Sequence, residues 1–309
     1  MITFLKNGPI GLINCPDWES NCWVNMVSPS ESDKNYLIDE LKIPLAFYND
    51  IEDVDERPRI ELEDGWYLII IRVPLKTSDT SMPFSTIPLG IIFKDEVFVS
   101  LCFHNIEMLP DFIRYTHRKS IKKENNFDLV LKLLLSSSVW FLKYLKQINQ
   151  QIKLAEKQLE KSIRNEDLQT LLQIEKCLVY FTTSLKGNDI LIHKIKHIKE
   201  NRENADVELL EDVEIELRQA LETTNIYSDI LSGMMDAYAS VISNNLNVIL
   251  KLLTSISILL MIPTVIASFY GMNVPNALEN NPFGFWIVIL ISFLISLMGI
   301  LIFRRKNWI

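Results

Sequence analysis

Cysteine and glycine are scarce in this 309-residue chain, which holds four Cys (Cys15, Cys22, Cys102 and Cys177) and nine Gly. The cysteines are irregularly spaced and form no CxxC pair, so neither a disulfide framework nor a zinc ribbon is indicated, and a reducing compartment suits the chain. The glycine-rich phosphate loop of P-loop NTPases is missing, which removes support for ATP-driven pumping. No nucleophile and base pair or metal-ligand constellation stands out, so an enzyme is the least favoured class. The first residues lack the charged-then-apolar pattern of a targeting segment. Basic charge is also in deficit, with 31 Lys and Arg against 39 Asp and Glu for a net of −8. So acidic a body is a poor nucleic-acid binder.

Charge of either sign is missing from two stretches. Residues 252–278 and 283–303 contain no Asp, Glu, Lys or Arg. The mean hydropathy is +0.14 although 23% of residues are charged, and these stretches are where the apolar residues are concentrated. Each is close to the ~20 residues that cross a ~30 Å hydrocarbon core as a helix. Two spans are expected, about 247–270 and 283–303, joined by a loop over 271–282. Lys251 at the start of the first span and Arg304-Arg305-Lys306 at the end of the second put both ends in the cytoplasm by the positive-inside rule and the loop outside. Residues 246–309 hold those four bases against Glu279, a net of +3, so −11 falls upstream.

Residues 1–125 read as a mixed α/β domain. β-rich runs stand at 22–27, 66–73, 87–93 and 97–103, and the last two form a hairpin around Lys94-Asp95-Glu96. Ser30 is placed to cap a helix through Leu41, with acids in its first turn. From about Phe127 the pattern is helical, with Leu131, Leu134, Leu135, Val139, Leu142, Leu145, Ile148, Ile152, Leu159 and Ile163 recurring at helical spacing. A polar turn at Asn165-Glu166-Asp167 leads to a second helix ending near Lys199. A third begins near Asp206 and runs past Gly233 into the first span, ~60 residues or ~90 Å at 1.5 Å per residue. The fold class is an α+β membrane protein: a cytoplasmic α/β domain (1–125), a helical coiled-coil stalk domain (126–245) and a transmembrane domain (246–309).

Charge is sorted along the stalk. Residues 203–216 contain seven acids and no base, whereas 186–202 is mostly basic; this is either a solvated helical face or an ion-attracting, regulatory one. His193 and His197 stand at i and i+4, a spacing that can hold a metal. Lys194 and Lys196 beside them disfavour a cation, and a third ligand is not evident.

In the first span, Asn247, Leu250, Thr254, Ser257, Met261, Thr264 and Ser268 follow one another at 3,4 spacing. Hydroxyls, an amide and a thioether thus share one seam of an otherwise aliphatic helix. Two explanations stand: a packed interface in which Ser and Thr permit close approach, or the lining of a pore. One copy supplies one polar stripe, so a pore requires several copies around an axis. Glu279 in the outer loop either raises the local cation concentration or is simply solvated.

At the outer end of the first span stands Tyr270-Gly271-Met272-Asn273, followed by Val274-Pro275, and the chain closes on a basic tail with an aromatic and an aliphatic residue (RRKNWI). This arrangement resembles the CorA family of magnesium transport proteins. Asp236-Ala237-Tyr238, Ser240, Ser243-Asn244-Asn245-Leu246-Asn247 and Leu253-Thr254 are similar to that family's approach to the membrane and pore helix. Asp50-Ile51 and Arg57-Pro58-Arg59-Ile60-Glu61 are similar to the segment before its second strand.

The resemblance implies a homopentameric funnel in the cell membrane that passes hydrated Mg²⁺ without a catalytic step. It implies a selectivity filter at Gly271, Met272 and Asn273, with Asn273 a metal-facing ligand. Asn247, Leu250, Leu253, Thr254, Ser257, Met261, Thr264 and Ser268 would line the pore, and Leu250 and Leu253 match an apolar gate. Asp50 and Asp236 match a regulatory Mg²⁺ site between subunits that closes the channel when internal Mg²⁺ is high; Asn49, Asp53 and Asp55 lie close to Asp50. Implied partners are other copies of the chain, membrane lipid and divalent cations, with Co²⁺ or Ni²⁺ as further cargo. Three departures stand out: Leu250 where relatives often have Met, Ser268 in place of Gly, and Pro263 one place later than in some members. One alternative is a Zn²⁺, Co²⁺ or Ni²⁺ transporter on the same scaffold, against which Met272 speaks. The other is a membrane-tethered coiled-coil interaction protein, against which the hydroxyl seam speaks.

Overall fold

The computed structural model describes residues 2–9, 11–79, 81–119, 125–159, 165–200, 206–274, 278, 281–306 and 308. The four expected β-rich runs are strands, and three further strands join them: β1 (Ile2–Gly8), β2 (Gly11–Cys15), β3 (Trp23–Val27), β4 (Arg59–Glu63), β5 (Trp66–Lys76), β6 (Phe84–Lys94) and β7 (Val97–Cys102). They form one sheet in the order β2-β1-β3-β7-β6-β5-β4. Neighbours run antiparallel except β3 and β7, which run parallel with Asn25 opposite Ser100. The expected hairpin is present, with Asp95-Glu96 between β6 and β7 and Asp95 at φ +49°. A second tight turn, Asp64-Gly65, joins β4 to β5 with both residues at positive φ, the geometry of two-residue hairpin loops. Strands β5 and β6 overrun their expected limits at Pro74 and Ile87. Proline removes a ladder donor, yet Pro74 pairs with Thr86 and Pro88 with Arg72.

Three short helices accompany the strands, two between β3 and β4 and one after β7. The expected helix after Ser30 begins as α1 (Glu31–Asn35) and widens its register into a π turn over Tyr36–Glu40. Ser30 Oγ accepts from the Asp33 amide at 3.3 Å while the Asp33 carboxylate accepts from the Ser30 amide at 2.9 Å, a reciprocal capping box. Helices α2 (Leu45–Glu52) and α3 (Met108–Lys119) were not expected from the sequence. One sheet face buries Val24, Met26, Leu68, Ile70, Ile92, Val99 and Leu101 against Leu37, Phe47 and Ile51. Each such side chain contributes about 1.5–3 kcal/mol by leaving water. Gly90 is what lets α2 dock, because a Cβ there would overlap the Ile51 side chain.

The opposite face packs on α3 and on two long helices, α4 (Asn126–Leu159) and α5 (Asn165–Glu200). Trp23 meets Phe98 and Phe112 edge-on, and Phe84 packs on Tyr144 and Phe181. Two expectations need correction. Val139 is exposed, because Trp140 and Phe141 turn the buried stripe of α4 past it. Asn165-Glu166-Asp167 is the first turn of α5, where acids suit the positive end of the helix.

Helix α6 (Val207–Tyr270) is 64 residues long and contains both Gly233 and Pro263; α7 (Gly284–Arg305) follows it. Asp206 caps α6 by accepting the Leu209 amide at 2.9 Å. By packing, the chain divides into two units, 1–233 and 234–309.

Candidate pore helix and cation sites

In the second unit, α6 and α7 are both long and apolar enough to cross a membrane. Their mutual packing defines a face. On α6, Ser255 is fully buried and Leu259, Ile262 and Ile266 are half-buried. Gly299 of α7 receives this stripe, since a Cβ there would stand 2.9 Å from Leu259 Cδ2. At about 100° per residue, the centre of the 247–268 hydroxyl seam lies roughly 140° around the helix from that stripe. Asn247, Leu250, Leu253, Thr254, Ser257, Met261, Thr264 and Ser268 are accordingly all exposed in a single copy. The seam is not what holds α6 to α7.

Two of its hydroxyls have settled acceptors. Ser257 Oγ donates to the Leu253 carbonyl at 2.9 Å and Thr264 Oγ1 to the Leu260 carbonyl at 3.0 Å. With the proton committed to the helix backbone, each oxygen turns its lone pairs outward, the polarity that suits the water shell of a cation. Pro263 removes the amide that would bond the Leu259 carbonyl.

Gly271, Met272 and Asn273 form the turn that ends α6. The Gly271 amide donates to the Ala267 carbonyl at 2.9 Å, and the Val274 amide returns to the Met272 carbonyl at 2.8 Å. A Cβ at Gly271 would sit 3.2 Å from the Ala267 oxygen, so a side chain there would crowd the turn. All three residues are exposed at the negative end of the helix dipole. Pro275 and Glu279 lie outside the described residues. At its far end α7 carries Arg304 and Arg305, and Trp308 stacks on Phe303 at 5.6 Å.

The first unit holds Asp50 on α2. Its carboxylate accepts from Arg59 Nη2 at 2.7 Å; Arg59 also bonds Glu61 through Nε at 3.2 Å, and Glu56 through Nη1. Partial burial pulls the Arg59 guanidinium down, but the bonds to Glu56 and Glu61 and the charge of Asp50 outweigh it and raise its pKa above the ordinary value. Asp53 accepts the Asp55 amide at 2.9 Å.

The loop carrying these acids is fastened from beneath. Arg72 on β5 is buried and donates to the Val54 and Glu56 carbonyls and, through Nη2, to the Thr86 carbonyl at 2.7 Å and Oγ1 at 3.0 Å. Burial lowers its pKa, opposed by the charges of Asp55, Tyr180 and Asp53. Asn188 of α5 brackets the backbone of Arg72, accepting its amide at 2.9 Å and donating to its carbonyl at 2.8 Å. Ser137 Oγ donates to the same carbonyl at 3.3 Å. Beside Asn188, a Cβ on Gly187 would stand 2.7 Å from Pro58 Cγ, so the loop rests directly on the helix.

Asp236 is exposed on the part of α6 that belongs to the second unit, whereas Asp50 belongs to the first. Among the described residues no group of three or more His, Cys, Asp or Glu is arranged to hold a metal. His193 faces Glu214 at 3.9 Å and Asp189 at 4.0 Å, and Lys196 approaches Glu214 at 3.5 Å. Part of the acidic run thus meets the basic stretch of α5. Arg59 was named from the sequence only within the Arg57-Pro58-Arg59-Ile60-Glu61 segment, and Arg72 and Asn188 were not singled out; the available signal was Arg72, a lone charge in the run Trp66-Tyr67-Leu68-Ile69-Ile70-Ile71-Arg72-Val73.

Two helices with charge-free stretches long and apolar enough to cross a membrane, accompanied by a large α/β unit, are the make-up of a membrane transport protein. A model of the CorA-like Mg²⁺ transporter protein family matches residues 18–305, and the chain belongs to that family. It is 28% identical over 297 residues to the Cobalt/magnesium transport protein CorA of Methanocaldococcus jannaschii, covering 93% of this chain and 91% of the relative. It is 24% identical to the protein of the same name from Thermotoga maritima, over 95% and 85% of the two chains. The complete structure of the CorA magnesium transporter from Methanocaldococcus jannaschii superposes with a TM-score of 0.86 at 25% identity, over 100% of this chain and 99% of that one.

Proposed function

We propose that this protein is a Mg²⁺ influx channel that carries hydrated divalent cations down the membrane potential through a pore lined by α6. The observation that carries the reading is the exposed hydroxyl seam of α6, turned away from α7 and ending in Gly271-Met272-Asn273. Mg²⁺ holds its water tightly and prefers oxygen ligands. Amide and carbonyl oxygens of Asn273 and Gly271, repeated around an axis, accept hydrogen bonds from the ion's bound waters and recognise the hydrated ion without stripping it. Five copies supply that axis, with residues 246–309 in the cell membrane and both chain ends in the cytoplasm. The names of the relatives add Co²⁺ as a second cargo.

Gating on this reading is by cytoplasmic Mg²⁺. Asp236 of one copy and Asp50 of a neighbour share the ion; without it, paired carboxylates repel and the copies separate. Leu250 and Leu253 close the pore by excluding water when the copies draw together.

The test is Mg²⁺ uptake into liposomes holding the purified full-length protein. Asn273→Ala deletes one neutral hydrogen-bonding group per copy, and a fall of at least about tenfold is expected. Equal flux in the two proteins would remove Asn273 from the filter. No flux of any divalent ion at low internal Mg²⁺ would remove the channel reading altogether.

A further inference from the structure

Asp50 is not an open carboxylate. One guanidinium, that of Arg59, is met by Asp50, Glu56 and Glu61 together. The Asp50 and Arg59 side chains are 35% and 29% accessible, so dissolved ions reach the pair and the arginine has room to swing out. The backbone between them has no such freedom. Arg72 holds the Val54 and Glu56 carbonyls from below, and Pro58 lies on Gly187 of α5. Any exchange of partners at Asp50 is therefore a side-chain event on a fixed frame.

We propose that Arg59 is a tethered cation that competes with the regulatory divalent ion for Asp50, and so sets the cytoplasmic Mg²⁺ concentration at which the channel closes. The inference rests on the reading of Asp50 as a regulatory ligand. A carboxylate already neutralised by a charge-assisted bond to arginine attracts a second cation less. Because Arg59 cannot diffuse away, it acts at a high effective concentration that the free ion must overcome. When the ion leaves, the guanidinium returns to Asp50, so the empty site is never a bare cluster of acids.

The measurement is calorimetric titration of the full-length protein with MgCl₂, paired with inhibition of flux by internal Mg²⁺. Arg59→Gln is expected to lower the apparent Mg²⁺ dissociation constant and the inhibitory concentration by about tenfold, the size of one lost charge-assisted bond. Arg59→Lys should shift both the same way by a smaller factor, since an ammonium keeps the charge but not the fork that spans three carboxylates. Constants unchanged or raised in both variants overturn the proposal. Asp50→Asn separates the two layers. Loss of the titrated site upholds the ligand reading, while wild-type binding in Asp50→Asn removes that reading and this inference with it. If Arg59→Gln fails to fold, as judged by its melting transition, Arg59→Lys decides the matter alone.

Discussion

Arg72 stands among apolar neighbours in β5, and its guanidinium is directed at carbonyl and hydroxyl oxygens from two separate segments. Replacing it by Met would leave the Val54, Glu56 and Thr86 acceptors facing an apolar side chain. The expected loss is about 3 kcal/mol, as for other buried groups stripped of a charged partner, read as a lowered Tm of the detergent-solubilised protein. A loss below about 1 kcal/mol would mean that the acid loop is held by something else.

Cys102 makes a second prediction at this scale. Burial pushes its thiol from the ordinary 9.0 up to about 11. Between those values the unfolded chain has lost the proton and the folded chain has kept it. The contribution of Cys102 is complete below about pH 9 and is lost as the pH rises toward about 11, amounting to up to about 3 kcal/mol. The Tm of the wild type should fall more steeply than that of Cys102→Ala over this window, and parallel curves would contradict the burial argument.

What was legible at the residue scale was chemistry written locally: the Gly-Met-Asn turn, the hydroxyl stripe and the capping Ser30. What was not legible was partnership across distance. Asn188 brackets an arginine 116 positions away. Asp50 meets Arg59 across the 53–58 loop, whose carbonyls are held by Arg72 of β5, a partner that neither residue specifies.

Among the elements, α6 was the most readable, because a charge-free run, an Asp206 cap and uninterrupted helical spacing all agree. Pro263 did not end it. The short elements were the least readable. Strand β4 is the sheet edge and leaves Glu61, Leu62 and Glu63 exposed, so it shows no alternation of apolar and polar residues. Its Asp64-Gly65 turn was the available signal. Helix α2 owes its place to Gly90, a residue 38 positions beyond its last, Glu52, that carries no helical information. The proposed gate belongs to this scale, since on that reading Leu250 and Leu253 act only as part of a helix repeated around an axis. Leu253→Ser should raise Mg²⁺ flux by about tenfold at an internal Mg²⁺ that silences the wild type, because a hydroxyl lowers the cost of wetting the constriction. Flux that stays silenced would move the gate to another position.

At the scale of the molecule, the charge arithmetic separates into an acidic body and a basic membrane segment, and the two packing units follow nearly the same division. The single parallel pairing in the sheet has a consequence for the order of assembly. Strands β1 to β3 form one antiparallel set within the first 27 residues, and β4 to β7 form another from Arg59 to Cys102. In the first set β1 pairs with both β2 and β3, and in the second every pairing joins neighbours in sequence. Only the pairing of β3 with β7 joins the two, and there Asn25 meets Ser100, 75 positions away. Closing a loop of that size costs about 4 kcal/mol beyond a fixed term, against roughly 1 kcal/mol for a two- to four-residue turn. The meander β4 to β7 therefore matures as a separate nucleus, and the seam closes afterwards. Pulse-labelled amide exchange during refolding should protect β5 and β6 before β3; simultaneous protection would mean that the sheet forms in one step. A ribosome that has released only the first strands has made a half-sheet whose completing neighbour is still to be translated.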